Sequence, residues 1–279
     1  MPVASSHPWI LLERLLRWGT FVRIEPITSR SNPLLKMLRK AASRGATTSD
    51  GFALAESPHL LEEALRAGVE IRSIFATNGA RPRLERMLPL HLNLPVRILD
   101  DNVFAECSTT AHHQGVLTLV KMPTSNPAVV LSGFAVVLDS LQDPGNAGTI
   151  VRSAEAFGAS GVVFLKGSAS PTNPKTLRAA AGSLFRLPFI QGVDRDDFLI
   201  MAAAAGTKIY AAASQGDVSI GAADFSGSVA VVIGSEAHGI APSLLSAATS
   251  LEIPTQQVES LNAAVAASVI LYEAARQRK

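Results

Sequence analysis

Short apolar runs alternate with segments of helical periodicity along most of the chain. In the C-terminal half, four runs are apolar at almost every position, namely FAVVLDSL, GVVFLKG, KIYAAA and VAVVIG. Continuous apolar runs of this length are typical of strands that are buried on both faces of a parallel sheet. Their alternation with helices predicts an α/β fold with an open, mostly parallel sheet and helices on both of its faces.

A second, smaller α/β pattern precedes this one. The runs GFALAE, IRSIFAT, VRILD and GVLTLVK predict four strands. Two helices are predicted to start where a cap residue precedes a proline, at Asn32-Pro33 and Ser57-Pro58, and a third covers about residues 81–91. The pattern therefore predicts a small N-terminal α/β domain ahead of the larger one.

The segment MPTSNPA, residues 122–128, separates the two patterns. It has two prolines, three polar residues and no periodicity, which is typical of an interdomain linker. We therefore predict a first domain over residues 29–121 and a second over residues 129–279. Residues 1–28 are interpreted as an N-terminal extension.

The composition indicates a protein with a substantial core. Hydrophobic residues make up 47% of the chain and charged residues 17%, proportions that exclude a disordered protein. The single cysteine, Cys107, excludes a disulfide framework and favours a cytoplasmic location. Charges interrupt the apolar N-terminal stretch WILLERLLRW, so neither a signal peptide nor a membrane span is expected.

Positive charge is concentrated near the N-terminus. Residues 1–44 carry eight basic side chains and two acidic ones, although the net charge of the whole chain is only +2. A basic region on a nearly neutral protein indicates an anionic polymer such as RNA as the partner. The alternative is an ordinary solvated helix face. The candidate RNA-binding residues, all basic, are Arg30, Lys36, Arg39, Lys40 and Arg44.

Ligands of open parallel sheets bind beyond the carboxyl ends of the strands. The loops that lie there begin after Leu138, Ala213, Ile233 and Ile253. The first loop opens the stretch QDPGNAGTIVRSAEAFG, which carries Asn146 and Arg152. Asn146 is either a helix cap or a functional amide. Arg152 stands among apolar helix positions and requires an anionic partner there.

Two further stretches carry polar residues at such positions. In VAVVIGSEAHGI, Gly234 and Gly239 flank Glu236, a pattern of either a close ligand approach or a surface turn. In LEIPTQQVESLNAAVAASVILYEAARQR, a helix over Asn262–Arg276 is apolar on nearly every side, which predicts that it is buried. Its start would present Ser260 and Asn262 inward, although Ser260 can also be a simple cap.

Other kinds of site find no support in the sequence. His112, His113 and His238 lack the spacing of metal ligands, so no metal is expected. The motifs of dinucleotide-binding, P-loop and serine hydrolase sites, G-x-G-x-x-G, G-x-x-x-x-G-K-[ST] and G-x-S-x-G, are not found.

The three polar stretches, in this order, resemble the SpoU/TrmH branch of the SPOUT RNA methyltransferases. The matching motifs are LDSLQDPGNAGTIVRSAEAFGASGVVFL, VIGSEAHGI and LEIPTQQVESLNAAVAASVILYEAARQR. The resemblance covers the chain from about Phe134 to its C-terminus, and residues 29–121 resemble the substrate-binding domain of the family. Where the family usually has Met and a small residue after the Ile-Pro pair, this chain has Thr255 and Gln256.

The resemblance implies S-adenosylmethionine as methyl donor and a ribose 2'-hydroxyl in RNA as acceptor. It also implies a deep trefoil knot and a homodimer through the C-terminal domain, with the active site at the subunit interface. By motif position, the donor-binding residues are Gly234, Ile253 and Leu261. The catalytic residues, again by motif position, are Asn146, Arg152, Glu236, Ser260 and Asn262.

The role of Arg152 and the identity of the RNA are open at this stage. The family's arginine is often assigned as general base, but a guanidinium is almost never deprotonated in a protein, which favours electrostatic stabilisation of the reacting oxygen. The N-terminal domain favours a structured RNA, and ribosomal RNA is the first expectation. The alternatives are a transfer RNA methyltransferase and a ribosome-assembly factor that binds RNA without catalysis.

Overall fold

The computed structural model describes residues 32–44, 47–88 and 94–278. The chain divides into two compact units between Lys121 and Met122. The proposed N-terminal extension and Arg30 lie outside the described residues. Within the described part, no helix is long and apolar enough to cross a membrane.

The described part of the N-terminal unit is a four-stranded sheet with helices. Its strands are β1 (Phe52–Glu56), β2 (Ile71–Thr77), β3 (Val96–Leu99) and β4 (Val116–Lys121). Its helices are α1 (Pro33–Arg44), α2 (Pro58–Ala67), α3 (Arg81–Met87) and α4 (Asp101–Ala105). The strand order is β1-β4-β2-β3, with β4 antiparallel to both neighbours and β2 parallel to β3.

The predicted helix starts of this unit are confirmed by their caps. The side chain of Asn32 accepts a hydrogen bond from the backbone N–H of Leu34 at 2.9 Å, and Ser57 accepts one from Leu60 at 3.1 Å. These side chains satisfy N–H groups that have no partner inside the helix. Gly68 ends α2 in the left-handed conformation, with φ of 66°.

Two apolar clusters form the core of the N-terminal unit. One joins Leu35 and Leu38 of α1 to Phe75 of β2 and Phe104 of α4, and all four are fully buried. The other contains Leu61 of α2 together with alternate residues of β2. Because successive strand residues point to opposite faces, the sheet is covered on both sides.

The C-terminal unit is built on a seven-stranded sheet. Its strands are β5 (Phe134–Asp139), β6 (Gly161–Leu165), β7 (Phe189–Val193), β8 (Lys208–Ala213), β9 (Val218–Ser219), β10 (Val229–Gly234) and β11 (Thr249–Glu252). Its helices are α5 (Pro127–Val130), α6 (Pro144–Ala156), α7 (Pro174–Ala180), α8 (Arg195–Ala204), α9 (Pro242–Ser246) and α10 (Ala263–Gln277). The strand order is β7-β6-β5-β10-β8-β11-β9, and neighbouring strands pair in parallel. The predicted α/β fold with a mostly parallel sheet is confirmed.

The order of strands departs from the order of the sequence around β8. The chain passes from β8 to the edge strand β9 and returns to place β10 between β5 and β8. It then crosses again to place β11 between β8 and β9, and α10 returns to pack on α6. Since these strands are parallel, the carboxyl ends of β8, β10 and β11 meet at one edge of the sheet.

Two strands of this sheet lack the apolar pattern used to predict strands. In β7 the exposed Gln191 and Gly192 interrupt the apolar residues, and β9 has only two residues. Both lie at the outer edges of the sheet, where one side of a strand has no neighbour. These two strands form because β6 and β11 offer backbone hydrogen-bonding groups at the edges of the sheet, and their own residue pattern does not predict them.

The segment interpreted as a linker ends earlier than expected. Pro127 and Ala128, which were assigned to the linker, begin helix α5. The side chain of Asn126 accepts a hydrogen bond from the N–H of Ala128 at 2.9 Å, and Pro127 occupies the first helical position. An asparagine followed by proline is a helix start, so the polar composition concealed a short helix.

Helix α10 is not buried on every side, as its apolar sequence predicted. Its residues Ala267, Ile270 and Leu271 are buried, but the opposite face is open. Val265, Val269 and Tyr272 are exposed by 49%, 37% and 59%. These three residues lie at helical spacing on one face, which the C-terminal unit leaves uncovered.

Candidate active site

A cavity of about 470 Å³ opens at the edge where β8, β10 and β11 end. The last residues of these strands and the loops that follow line it, with Ala213 at the end of β8, Ile233 and Gly234 at the end of β10, and Ile253 and Leu261 after β11. Its volume lies within the range of small-molecule sites. The predicted donor-binding residues Gly234, Ile253 and Leu261 are therefore brought together around one cavity.

The loop after β10 folds back on itself beside this cavity. Ser235 and Gly239 exchange two backbone hydrogen bonds, of 3.1 and 2.9 Å, and Gly239 is left-handed with φ of 67°. A Cβ atom on Gly234 would lie 2.4 Å from the carbonyl carbon and oxygen of Gly239. The glycines therefore allow the loop to close tightly, and this turn leaves Glu236 and His238 exposed at the cavity.

Asp143, rather than Asn146, caps helix α6. Its carboxylate accepts hydrogen bonds from the backbone N–H groups of Gly145 and Asn146, and Pro144 occupies the first helical position. These N–H donors, with Lys175 nearby, hold the pKa of the Asp143 carboxyl below its usual value. Asn146 lies in the first turn, so its amide is free to act elsewhere, and the interpretation of Asn146 as a cap is wrong.

Gly148 serves helix packing and not the approach of a ligand. A Cβ atom at this position would lie 2.4 Å from the carbonyl oxygen of Thr176 and 2.6 Å from the Cβ of Ala179. Both of these residues belong to α7, which packs closely against α6. Gly148 therefore sets the distance between two helices, because any side chain would separate them.

Three predicted catalytic residues from distant parts of the chain are linked in a row. The side-chain Nδ2 of Asn262 donates to Oδ1 of Asn146 at 3.4 Å, and Nδ2 of Asn146 donates to Oε1 of Glu236. The Oδ1 atom of Asn262 also accepts the N–H groups of Ala264 and Val265, so this residue caps α10. The row joins the loop after β10 to the first turns of α6 and α10.

Ser260 lines the same cavity as Gly234, Ile253 and Leu261 but is not the cap of α10, since Asn262 has that role. It is exposed and follows Glu259, which also lines the cavity. Earlier in the same loop, the hydroxyl of Thr255 donates to the carbonyl oxygen of Val258 at 2.7 Å. This hydrogen bond closes a turn at the position where the family usually has Met.

Arg152 is exposed, contrary to the expectation of an apolar and enclosed position. Among the described residues it has neither a hydrogen-bond acceptor nor an ion-pair partner. Thr149 and Ala156, three residues before and four residues after it on the same face of α6, are exposed as well. The anionic partner that the sequence required is therefore not supplied by this part of the chain.

A second depression of about 580 Å³ runs between α6 and α10. Its lining residues, apolar for the most part, include Thr149, Phe157, Val265, Val269 and Tyr272. The rings of Phe157 and Tyr272 meet edge to face with 5.9 Å between their centroids. Asn146 and Asn262 also line this groove, which therefore continues into the candidate catalytic row.

The predicted RNA-binding residues lie on α1 as far as the structure describes them. Lys36 and Lys40 are exposed. Arg39 donates to a carboxylate oxygen of Glu106 at 2.6 Å, so part of its charge is compensated within the protein. Arg30 and the side chain of Arg44 lie outside the described residues.

Among the described residues, no group of three His, Cys, Asp or Glu side chains is placed to hold a metal ion. His238 lies at the cavity at the ends of β8, β10 and β11, whereas the His113 ring packs against Phe104 at a tilt of 49°, with 4.6 Å between the ring centroids.

Comparison with known proteins identifies both units. Residues 133–272 match the SpoU rRNA methylase family, and residues 58–125 match the substrate-binding domain of RNA 2'-O ribose methyltransferases. The chain belongs to the SpoU rRNA methylase family. The predicted family, fold and enzyme class are confirmed: the protein is an S-adenosylmethionine-dependent RNA 2'-O-methyltransferase of this family.

Relatives across the SpoU family cover nearly the whole chain. An uncharacterized tRNA/rRNA methyltransferase of Synechocystis is 35% identical over 91% of this chain and 95% of its own. The 23S rRNA (guanosine(2553)-2'-O)-methyltransferase RlmP of Bacillus subtilis is 30% identical over 89% of this chain and 98% of its own. The crystal structure of an AdoMet-bound rRNA methyltransferase from Sinorhizobium meliloti superposes with a TM-score of 0.77, at 27% identity over 91% of this chain and 98% of that one.

Sequence reasoning missed two carboxylates of this SpoU site. Asp143 precedes Pro144, and this cap-and-proline pair is the same signal that located other helix starts, so it was available in the sequence. Asp139 is the last residue of an apolar strand, and nothing in its sequence neighbourhood indicates what it binds. Its contacts come from residues 56 and 102 positions away.

Proposed function

We propose that this protein transfers a methyl group from S-adenosylmethionine to a ribose 2'-hydroxyl in ribosomal RNA. The observation that carries the proposal is the position of the row formed by Asn146, Glu236 and Asn262. Glu236 belongs to both the row and the lining of the donor cavity. A hydroxyl held by the row would therefore lie next to a methyl donor held in the cavity.

The cavity has the properties required of a donor site. Apolar side chains, among them Leu245, Leu251 and Leu261, supply surfaces for an adenine ring. The closed turn of residues 235–239 places backbone groups at the rim of the cavity, where polar groups of the donor can be bound. When bound, S-adenosylmethionine supplies a methyl group on a positively charged sulfur.

The residues of the chain orient the acceptor and stabilise its charge. The amides of Asn146 and Asn262, fixed by their mutual hydrogen bond, would hold the ribose hydroxyl without adding a competing charge. Arg152 has no anionic partner among the described residues, so its guanidinium is available for an RNA phosphate or for the developing alkoxide. Alignment of acceptor and methyl group supplies much of the acceleration in such a displacement.

We further propose that two copies of the chain form a homodimer through the groove between α6 and α10. Support comes from the exposed Val265, Val269 and Tyr272, an apolar row that a second copy would bury. Because Asn146 and Asn262 line the same groove, the partner subunit would complete the active site. A Val269→Asp variant should be monomeric by analytical ultracentrifugation, whereas Ile200→Asp, which changes an exposed apolar residue of α8, should not.

We also propose that the segment from β8 to α10 forms the trefoil knot of the family. Support comes from the crossing order of β8, β10 and β11 and from the return of α10 to pack on α6. Knotted chains are rare, and ordinary connections avoid threading one loop through another.

Ribosomal RNA is proposed as the substrate for two reasons. The Bacillus subtilis relative, similar over nearly its whole length, is named a 23S rRNA methyltransferase. The N-terminal unit carries the substrate-binding domain of the family and exposes Lys36 and Lys40, which can contact phosphates. A cytoplasmic location is proposed with this substrate, and it agrees with the buried free thiol of Cys107.

The decisive experiment uses the full-length protein and S-adenosylmethionine labelled on its methyl group. Unmodified ribosomal RNA and unmodified transfer RNA are incubated separately, and the labelled ribose is then mapped by nuclease digestion and mass spectrometry. The proposal expects label in ribosomal RNA at a 2'-O position. Label only in transfer RNA would overturn the substrate, and donor binding without label in either pool would indicate an RNA-binding protein without catalysis.

A further inference from the structure

Asp139 is a buried carboxylate at the end of β5, with 1% of its surface exposed. Its Oδ1 atom accepts from Nε of Arg195 at 2.8 Å and from Nη2 of the same side chain at 2.7 Å. Its Oδ2 atom accepts from the backbone N–H of Ala241 at 2.8 Å. Burying a charged carboxylate without such partners costs free energy of folding. The hydrogen bonds to both oxygens therefore fix the positions of the Arg195 side chain and the Ala241 backbone.

Arg195 extends this cluster to the chain that leads to α6. Its Nη2 atom also donates to the hydroxyl of Ser140 at 2.8 Å. Ser140 is left-handed, with φ of 55°, a conformation that residues other than glycine rarely adopt. Since the guanidinium holds both Asp139 and Ser140, it fixes the turn by which the chain leaves the sheet and enters the segment before Asp143.

The cluster therefore joins two loops of the active site at their bases. Ser140 begins the segment that carries Asn146, and Ala241 ends the loop that carries Glu236. Asp139 lies beside Gly234 in the paired strands β5 and β10, where the second loop begins. The hydrogen bond between Asn146 and Glu236 spans these two loops, so it depends on how their bases are held.

We propose that Asp139 and Arg195 are positioning residues for methyl transfer, which hold the Asn146 segment and the Glu236 loop at a fixed separation. The proposal rests on the proposed function. Neither residue is among the described residues that line the donor cavity, so each would act through the loops and not through contact with the donor. Small displacements of reacting groups have large effects on rate.

The exposure of Arg195 makes the proposal testable by substitution. Its side chain is 38% exposed, so water can reach Asp139 when the guanidinium is removed and the protein is expected to fold. A single ammonium group cannot reproduce the planar fork that binds Asp139 and Ser140 together. Arg195→Lys should therefore keep more of the methyl-transfer rate than Arg195→Ala, but less than the parent.

The experiment compares Arg195→Ala and Arg195→Lys with a matched control, Lys166→Ala. Lys166 forms an exposed ion pair with Asp194, the neighbour of Arg195, at 2.5 Å, and among the described residues its side chain has no hydrogen bond or ion pair with either loop. Three quantities are measured: kcat and KM with ribosomal RNA, donor affinity by calorimetry, and hydrogen exchange of the Ala241 amide. Arg195→Ala should lower kcat about a hundredfold and accelerate exchange at Ala241, Arg195→Lys should lie between it and the parent, and Lys166→Ala should match the parent.

Two results would overturn the proposal. One is an Arg195→Ala protein with the parent's kcat and the parent's protection of Ala241, and the other is an equal loss in Lys166→Ala, which would show a general effect on α8. Should Arg195→Ala fail to fold, Arg195→Lys and Asp139→Asn decide by the same measurements. If the parent itself does not methylate ribosomal RNA, the proposed function fails, whereas exchange at Ala241 and donor affinity still decide whether the cluster positions the loops.

Discussion

Each unit of this protein buries a carboxylate at the end of a strand, but the two carboxylates accept hydrogen bonds from different kinds of structure. Glu56 ends β1 and is 2% exposed, and Asp139 ends β5 and is 1% exposed. Glu56 accepts hydrogen bonds from the hydroxyl groups of Ser108, Thr109 and Thr110, which are neighbours in one loop. Through these contacts it anchors that loop of the N-terminal unit.

Asp139 instead connects two loops that belong to the active site, through the guanidinium of Arg195 and the N–H of Ala241. Glu56 and Asp139 are thus equally buried but stabilise different parts of the protein. We expect changes at polar groups around Glu56 to act on the stability of the N-terminal unit, and changes around the edge near Asp139 to act on methyl transfer. Two arginines of the two units differ as well. Arg39 of the N-terminal unit forms an ion pair with Glu106, whereas Arg152 of the C-terminal unit is exposed.

The largest effect is expected for Arg152→Ala. With the proposed role of Arg152 at the reacting oxygen, loss of this preorganised charge should lower kcat by a factor of about 100 to 1,000, while donor affinity and thermal stability stay at the parent's values. The matched control is Arg186→Ala, because Arg186 forms an ion pair with Glu155 of α6, the helix that carries Arg152. Rates from labelled donor and ribosomal RNA provide the measurement. An Arg152→Ala protein with the parent's kcat would remove this residue from the mechanism.

The next effect concerns stability and should be confined to the N-terminal unit. Glu56→Ala removes the charged acceptor of three loop hydroxyl groups. It should lower the local free energy of unfolding by about 2–3 kcal/mol, as measured by hydrogen exchange of β1 and β4. Glu62→Ala, which breaks an exposed ion pair with Arg66, should change it by less than about 1 kcal/mol. Donor affinity should remain unchanged in both. A fall in donor affinity with Glu56→Ala would break the distinction between the two carboxylates.

A smaller effect is expected on RNA binding. Replacing Lys36 and Lys40 together by alanine should weaken binding about tenfold and reduce the slope of log K against log salt by roughly two, one for each phosphate contact. Arg83→Ala with Arg86→Ala removes the same charge from exposed positions on α3 and serves as the control. Filter binding at several salt concentrations measures both slopes. Equal losses in the two variants would assign the effect to net charge and not to α1.

The smallest effect is a dependence of stability on pH. Burial alone raises the pKa of the Glu56 carboxyl, but the hydrogen bonds from Ser108, Thr109 and Thr110 together outweigh it and hold the pKa below its usual value. The stabilisation is therefore complete above the ordinary glutamate pKa of about 4.3 and is lost as the pH falls through the lower value of the folded state.

Urea unfolding of the parent and of Glu56→Gln between neutral and acidic pH tests this directly. The difference in unfolding free energy between the two proteins should shrink as the pH falls, because the parent loses its charged carboxylate and the variant has none. A difference that stays constant with pH would show that the charge of Glu56 contributes nothing beyond its shape.

The sequence alone was sufficient for the apolar strands, several helix starts and the fold class. Apolar runs located β5, β6, β8 and β10, because a strand buried on both faces tolerates few polar residues. Residues before a proline located α1 and α2, since a side-chain cap and a fixed φ act within a few positions. Local physics of this kind is visible in a short window of sequence.

The same local reasoning failed where distant segments decide the outcome. Gly148 admits the backbone of α7, which nothing near it in the sequence indicates. Arg152 was expected among apolar neighbours, but its face of α6 is open. The apolar sequence of α10 predicted full burial, whereas Val265, Val269 and Tyr272 are exposed. In each case the residue type was recognised and its surroundings were not.

The sequence by itself determined which residues carry polar chemistry and at which strand ends they stand. Only the tertiary structure decided which of them meet, because hydrogen bonds such as Asn146 to Glu236 and Asn262 to Asn146 join positions 90 and 116 residues apart. Short-range propensities contain no information about such distances. In the folded protein, the order of the parallel strands brings the carboxyl ends of β8, β10 and β11 to one edge, and the cavity proposed for the methyl donor lies there.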